Sequence, residues 1–221
     1  MDEDESADRL AAESLAAGDP TGWFERLYTE AERGEAVVPW DRDAPHSLLT
    51  EWTVERGLTG TGRRAVVVGC GYGRDAEHVA GLGFDTVAFD ISPTAVAGAR
   101  GRHPASAVDY RPADLLDPPP AWRRSFDLVV ESMTVQALPA QIRAGAVGAV
   151  GELVAPGGTL LVIAAGRADD EPTPAGPPWP LTRAEIDTFA GVGLAPVRVE
   201  EIQDQSGVRR WRAEFRRGPI R

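Results

Sequence analysis

A strand that ends in a run of glycines most constrains how this chain can fold. Residues 65–68 form a continuous apolar run, typical of a buried strand, and Gly69-Cys70-Gly71-Tyr72-Gly73 follows directly. Residues 75–82 then have the character of a helix. A glycine turn between a strand and a helix brings backbone N–H groups and the helix N-terminus close to a ligand. The segment therefore predicts a binding site at one edge of a sheet.

Strand and helix patterns alternate from residue 64 onward, which predicts an α/β fold with a parallel sheet wrapped by helices. The last two apolar runs are short and consecutive, so we expect them to form an antiparallel hairpin. The predicted strands cover residues 65–68, 86–90, 109–111, 126–130, 159–163, 197–202 and 208–215.

We expect a single domain over residues 19–221, preceded by an acidic segment that is disordered or frayed. The predicted parts are a frayed N-terminus at 1–18, a helical cap at 19–60, a ligand-binding core at 64–163, an active-site loop at 169–180, and a helix with a hairpin at 181–217. The proline-rich loop is assigned a function because structureless loops of this length inside a domain are usually functional.

Composition excludes several classes of protein. The formal net charge is −11, which argues against a nucleic-acid binder, and no apolar run is long enough to span a membrane. The acidic start predicts a cytoplasmic protein without an export signal. One cysteine and three scattered histidines predict no metal site. All 23 basic residues are arginines, which excludes P-loop, Schiff-base and general-base lysines.

The glycine loop and a following acid indicate a nucleoside ligand. Asp90 ends the next predicted strand about 20 residues on, where a carboxylate can accept both ribose hydroxyls. A dinucleotide-binding loop requires a further glycine where this chain has Arg74, which counts against a pyrophosphate. Asp114 and Leu115 follow the third strand and suit an adenine, although a plain loop aspartate is the alternative.

Five segments, in order, resemble the class I S-adenosylmethionine-dependent methyltransferases: residues 66–73, 87–92, 113–115, 126–131 and 153–158. Shorter motifs, Pro39-Trp40-Asp41, Asp75 and Gly176-Pro177-Pro178-Trp179, are similar to the thiopurine methyltransferase superfamily, especially its halide and thiol methyltransferase branch. The chain departs from that branch at Glu131-Ser132, which leaves the methyl acceptor open. The resemblance implies a Rossmann-like, seven-stranded, mostly parallel sheet with a C-terminal antiparallel hairpin and helices on both faces.

The resemblance also implies roles for individual residues. The expected cofactor is S-adenosyl-L-methionine, with S-adenosyl-L-homocysteine as product and no metal. The residues expected to bind it are Trp40, Gly69, Cys70, Gly71, Gly73, Asp75, Asp90, Ile91, Asp114, Leu115 and Glu131. Glu131, Ser132, Asp41 and Tyr28 are the candidate catalytic residues, and Trp23, Tyr28, His46 and Trp179 are the candidate substrate or lid residues.

The expected reaction is in-line methyl transfer to a small molecule, a thiol or another soft nucleophile such as halide or thiocyanate. An O- or N-methyltransferase would instead need a base within hydrogen-bond reach, with Glu131, Asp41, Tyr28 and His46 as candidates. An NAD(P)-dependent oxidoreductase and a non-catalytic cofactor-binding protein are further alternatives. We expect a monomer or a homodimer without a nucleic-acid or membrane partner.

Overall fold

The computed structural model describes residues 5–204 and 207–219, which form one seven-stranded sheet in the order β3-β2-β1-β4-β5-β7-β6. Strands β1 to β5 are parallel, and β7 runs antiparallel to both β5 and β6. The predicted fold class is confirmed, including the C-terminal hairpin. The strands are β1 Arg64–Val68, β2 Asp85–Asp90, β3 Asp109–Pro112, β4 Phe126–Ser132, β5 Val154–Ala165, β6 Leu194–Gln203 and β7 Arg209–Arg217.

Helices cover both faces of the sheet because β1 buries alternate residues on opposite sides. Val66 and Val68 pack in the core that contains helix α6, whereas Ala65 and Val67 pack in the core beneath α3, α4 and α5. The helices are α1 Glu5–Ala16, α2 Gly22–Glu32, α3 Ser47–Glu55, α4 Arg74–Gly81, α5 Pro93–Arg102, α6 Ala140–Leu153 and α7 Arg183–Asp187.

The N-terminal segment is a docked helix, so the prediction of a frayed terminus is wrong for residues 5–16. Leu10 and Ala11 in α1 are fully buried, in a cluster with Trp23 and Leu27 of α2. Arg9 also forms an ion pair with Glu30 across the two helices. Ala7, Leu10 and Ala11 give a narrow buried stripe, which tertiary packing stabilises even though the segment alone has little to bury. Residues 1–4 lie outside the described part of the chain.

Strand β5 begins five residues earlier than the sequence predicts. It includes the Pro156-Gly157-Gly158 turn, where its register against β4 shifts between Phe126 and Leu128. A Cβ on Gly158 would lie 2.8 Å from the carbonyl oxygens of both Ala155 and Phe126, so only glycine fits at this irregularity. The rest of β5 is buried in the centre of the sheet.

The strand order reverses between β1 and β4, and this reversal determines where the ligand site lies. The chain passes outward from β1 to β2 and β3, then returns to place β4 on the other side of β1. Ligands of open parallel sheets bind at such a point, beyond the carboxyl ends of the strands. The glycine loop after β1 and the 132–138 segment after β4 meet here.

Candidate active site

A cavity of about 520 Å³ lies over the carboxyl ends of β1, β2 and β4. The glycine loop forms its floor, helix α2 and the 39–46 segment form one wall, and residues 132–138 form another. Every predicted site residue lines this cavity except Glu131 and Trp179. Pro177, Pro178 and Arg210 also line it, so the 169–180 loop reaches the cavity only through its two central prolines.

The glycine loop is held in a shape that side chains would disrupt. Gly69, Gly71 and Gly73 have φ angles of 60°, 50° and 92°, in the left-handed region that favours glycine. A Cβ on Gly71 would lie 2.8 Å from the Tyr28 hydroxyl, and one on Gly69 would collide with the side chain of Thr134. The loop therefore presents bare backbone to the cavity, pressed between α2 and the segment after β4.

Asp90 joins the glycine loop to the end of β2. Its carboxylate is buried and accepts hydrogen bonds from the Gly71 N–H at 2.9 Å and the Ser92 N–H at 3.0 Å. Burial raises the pKa of Asp90, and these two backbone donors oppose that effect. Each oxygen keeps further acceptor capacity on the cavity side. Asp90 can thus fix the loop and accept a ligand hydroxyl at the same time.

Aromatic side chains enclose the cavity above the glycine loop. The Trp40 Nε1–H donates to the Tyr28 hydroxyl at 2.7 Å, and Tyr28 meets the Tyr72 ring edge-on, with ring centroids 5.1 Å apart. Trp23 packs edge-on against Trp40. Burial, together with the charge of Asp90, raises the pKa of Tyr28 well above its usual value. A raised pKa keeps the proton on Tyr28 near neutral pH, so this environment does not favour a role for Tyr28 as a base, and that role stays a prediction.

Asp41 is held away from base chemistry by an arginine. Both of its carboxylate oxygens accept from Arg102, at 2.7 and 2.8 Å, and the Arg102 guanidinium lies 3.6 Å from the centroid of the Tyr72 ring. This bidentate pair fastens the segment that carries Trp40 to helix α5. This contact would let Asp41 attach the lid, and its predicted role as a base stays a prediction.

His46 caps helix α3 and contacts the first turn of α4. The ring Nδ1 accepts from the Leu48 N–H at 3.2 Å, and the backbone N–H of His46 donates to Asp75 Oδ1 at 2.7 Å. Burial lowers the pKa of His46, so the ring is neutral at pH 7 and carries its hydrogen on Nε2. The His46 ring thus presents its Nε2–H as a donor, and Asp75 holds the backbone of His46 in place.

Glu131 lies beneath the cavity wall instead of facing the ligand. It is 1% exposed, and its Oε1 accepts from the Thr134 and Val135 N–H groups at 2.8 Å each. Among the described residues, Glu131 Oε2 is buried and has no hydrogen-bond partner, and burial raises the pKa of the carboxyl group to about 7. The Glu131 carboxylate supports the turn after β4 and does not line the cavity, and its predicted cofactor and catalytic roles stay predictions. Ser132, the next residue, does line the cavity.

Trp179 also differs from its predicted place. Its backbone N–H donates to the Gln136 carbonyl at 2.8 Å, and its Nε1–H donates to the Pro174 carbonyl at 3.1 Å. The ring is buried within its own loop, as a tryptophan is when its N–H finds a nearby backbone acceptor. Trp179 does not line the cavity, and its predicted lid role stays a prediction.

Several residues that line the cavity were not predicted from the sequence. Thr134 donates to the Val68 carbonyl at 3.1 Å and presses against Gly69, while Met133 has a φ of 65°, which is rare outside glycine. Such strain often accompanies a functional site. Arg42 and Arg210 line the cavity as well, and neither belongs to a motif. Only the position of Met133 and Thr134 after a central strand could have indicated them.

The lining fits S-adenosylmethionine as a ligand. Backbone without side chains at Gly69 and Gly71 leaves room for a methionine moiety, the Asp90 carboxylate could accept from a ribose, and Asp114 and Leu115 could flank an adenine. The Asp114 Oδ1 accepts from the Leu116 N–H at 2.8 Å, which fixes that turn. Within residues 5–204 and 207–219, no group of three His, Cys, Asp or Glu side chains could hold a metal ion. In the same ranges, no helix combines the length and apolar character needed to cross a bilayer.

Comparisons with known proteins agree with this geometry. Residues 66–160 match a family model described as a methyltransferase domain. The chain is 28% identical to thiocyanate methyltransferase 1 of Arabidopsis thaliana over 173 residues, covering 76% of this chain and 73% of that protein. It is 33% identical to the ubiquinone biosynthesis O-methyltransferase of Xanthomonas oryzae pv. oryzae over 139 residues, covering 58% of this chain and 56% of that protein.

Solved structures share the fold. The N-methyltransferase NodS from Bradyrhizobium japonicum, in complex with S-adenosyl-L-homocysteine, superposes with a TM-score of 0.66 at 23% identity, covering 86% of this chain and 98% of that one. The superposition with NodS therefore includes many residues outside 66–160, the range that matches the family model. Residues 66–160 therefore resemble a methyltransferase domain, and the chain as a whole shares the fold of an S-adenosylmethionine-dependent methyltransferase.

Proposed function

We propose that this methyltransferase acts on a small-molecule acceptor whose attacking atom is a thiol sulfur or another soft nucleophile. The observation that carries the proposal is the state of the four candidate bases. Tyr28 keeps its proton, the Asp41 carboxylate is bound by Arg102, His46 presents an N–H, and Glu131 lies outside the cavity lining. None of the four is placed to remove a proton from a hydroxyl or an amine.

A soft nucleophile does not need that base. A thiol is partly ionised near neutral pH, and its thiolate is the reactive form. Bound S-adenosylmethionine supplies an electrophilic methyl group on a sulfonium centre. Holding two reactants in line can supply roughly 7–11 kcal/mol of the barrier reduction, so alignment suffices for such an acceptor.

The chain's own residues provide that alignment. The bare backbone of Gly69 and Gly71 receives the methionine moiety, and Asp90 accepts from the ribose. The rings of Tyr28 and Trp40 stand beside the glycine loop, where their faces attract a positive sulfonium and exclude water. Ser132 and Met133, after β4, form the side from which the acceptor approaches.

Similarity to the Arabidopsis thiocyanate methyltransferase supports a soft acceptor, because that alignment extends through 76% of this chain. Similarity to the Xanthomonas O-methyltransferase favours a second candidate, a phenolic or other hydroxyl acceptor. That second reaction requires a base, for which Asp8 at the cavity mouth is the remaining carboxylate outside the cofactor positions.

An acceptor screen with methyl-labelled S-adenosylmethionine tests the proposal. The panel comprises iodide, thiocyanate, hydrogen sulfide, thiophenol, phenol and aniline, each at several concentrations. We expect transfer to thiophenol or to one of the inorganic soft anions, and none to phenol or aniline. Transfer to phenol or aniline alone would show that the acceptor assignment is wrong. The Asp90→Ala protein is the control, because it should lose cofactor binding with every acceptor.

A further inference from the structure

The cavity extends past β4 toward the hairpin, away from the positions suited to the cofactor. Gly71, Asp90 and Asp114 follow the ends of β1, β2 and β3 in turn, so the cofactor positions occupy one half of the sheet edge. Arg210 lies on β7 opposite Ala165, the last residue of β5, in the other half. A ligand group that reaches Arg210 therefore belongs on the acceptor side.

Arg210 is a nearly buried guanidinium with donors to spare. Its side chain is 12% exposed, and its Nε–H donates to Asp204 Oδ2 at 3.0 Å. Its two terminal amino groups make no hydrogen bond to any residue that the structure describes, although the residue lines the cavity. A guanidinium presents its donors as a planar fork that matches a carboxylate.

Two further donors surround the same part of the cavity. His46 carries its hydrogen on Nε2, because Nδ1 accepts from Leu48, and in the described segments Nε2 has no partner. The exposed Arg42 guanidinium forms no ion pair or hydrogen bond with a described side chain. The charges of both Arg42 and Arg210 act on the His46 ring, so the three groups are near one another.

Acidic residues and a further arginine lie close to these three donors. Asp204 pairs with Arg210, and one oxygen of Asp75 is bound by the His46 N–H. Arg74, which also lines the cavity, donates to the Arg42 carbonyl at 3.1 Å and adds a third cation. Asp41 is neutralised by Arg102, and Asp8 lies at the mouth beside Gly176. Three arginines therefore face Asp75, Asp204 and Asp8, so the attraction of this cluster for an anion rests on the donors of Arg42 and Arg210 that have no hydrogen-bond partner among the described residues.

We propose that the methyl acceptor carries a carboxylate, separate from its attacking atom, which binds to Arg210, Arg42 and the His46 Nε2–H. The apolar body of such an acceptor packs against Trp23 and Phe24, which line the adjoining wall. This inference rests on the proposed function, because it names the substrate class of the same site. It adds an anchor that a bare halide or thiocyanate ion does not use.

Calorimetry on the protein saturated with S-adenosylhomocysteine tests the anchor without turnover. The probes are 2-(methylsulfanyl)benzoate and its methyl ester, which differ in the charge of the carboxyl group and by one added methyl group. We expect the acid to bind at least tenfold more tightly than the ester, and Arg210→Gln and Arg42→Gln each to weaken acid binding roughly tenfold. Arg183→Gln, which changes an exposed arginine on α7 paired with Asp187, is the matched control and should have no effect.

The same proteins separate this inference from the proposed function. Equal binding of acid and ester, or acid binding that neither arginine substitution weakens, would overturn the carboxylate anchor while leaving S-methylation intact. Arginine substitutions that weaken S-adenosylhomocysteine binding instead would assign the cluster to the cofactor and also overturn the inference. Because Arg42 is exposed, Arg42→Gln remains informative if Arg210→Gln does not fold. KM values for 2-mercaptobenzoate and its methyl ester should show the same preference for the acid.

Discussion

The carboxylate of Asp90 accepts the Gly71 N–H at 2.9 Å, so the acid suited to the ribose also fixes the loop suited to the methionine moiety. A change at Asp90 therefore affects two parts of the cofactor site at once. Cysteine chemistry within the loop is not part of this arrangement, because burial raises the pKa of the Cys70 thiol well above its usual value.

Asp90→Asn should weaken S-adenosylmethionine binding roughly tenfold to a hundredfold, since an amide cannot accept from both backbone N–H groups and the ribose. Isothermal titration calorimetry measures this loss. Asp85→Asn, at the exposed opposite end of β2, is the control and should bind like the wild type. Equal affinities for all three proteins would remove Asp90 from the cofactor site.

Gly71→Ala should abolish cofactor binding and lower the free energy of unfolding by about 1–3 kcal/mol, because the new Cβ meets the Tyr28 hydroxyl in a left-handed backbone conformation. Gly148→Ala is the matched control. Gly148 lies inside α6 with no atom within 4 Å of an added Cβ, so that change should stabilise the protein by roughly 0.5–1 kcal/mol. Urea unfolding gives both values. A Gly71→Ala protein with an unchanged free energy of unfolding would contradict the described packing.

The carboxylate of Glu131 should make stability depend on pH. The pKa of Glu131 is about 7 in the folded protein and 4.5 for the free group. Between pH 4.5 and 7, the carboxyl group is therefore protonated mainly in the folded state. The stabilisation from the proton is complete below about pH 4.5 and is lost as the pH rises through 7, a change on the order of 3 kcal/mol.

Urea unfolding of wild type and Glu131→Gln from pH 4.5 to 8 isolates that contribution. The wild type should lose stability relative to the variant as the pH rises, because the other titrating groups are shared by both proteins. A difference that stays constant across this range would show that Glu131 does not titrate with a raised pKa.

Asp41→Asn should leave kcat within about fivefold of wild type, because a half-exposed ion pair contributes at most about 1 kcal/mol. The affinity for S-adenosylmethionine should fall by a similar factor as the Trp40 segment loosens, and added salt should narrow the difference. Steady-state kinetics at two salt concentrations measure both effects. A kcat loss of about 100-fold or more is what removal of a general base produces, and it would support that predicted role for Asp41.

The sequence predicted the parts of the site that follow from local pattern. Gly71 and Asp90 end consecutive strands, so strand order alone brings them together. Arg210 could not be placed in this way, because its contact with the cavity depends on the register of β7 against β5 and on the length of the hairpin. Glu131 was misplaced because alternation along β4 does not show that its side chain turns back to accept from Thr134 and Val135.

The same limit applies to the N-terminus. The apolar stripe of α1 is too weak to predict a stable helix, yet Leu10 is fully buried against α2. Tertiary packing decides such cases, and the local sequence carries little information about it.

The pH dependence of kcat/KM across a series of substituted thiophenols tests the central claim, methyl transfer to a soft nucleophile without a protein base. Each thiol should show a single rise centred on its own pKa, so the inflection moves as the substituent changes. An inflection that stays at one pH throughout the series would reveal a titrating group of the protein that removes the proton, and would contradict the account.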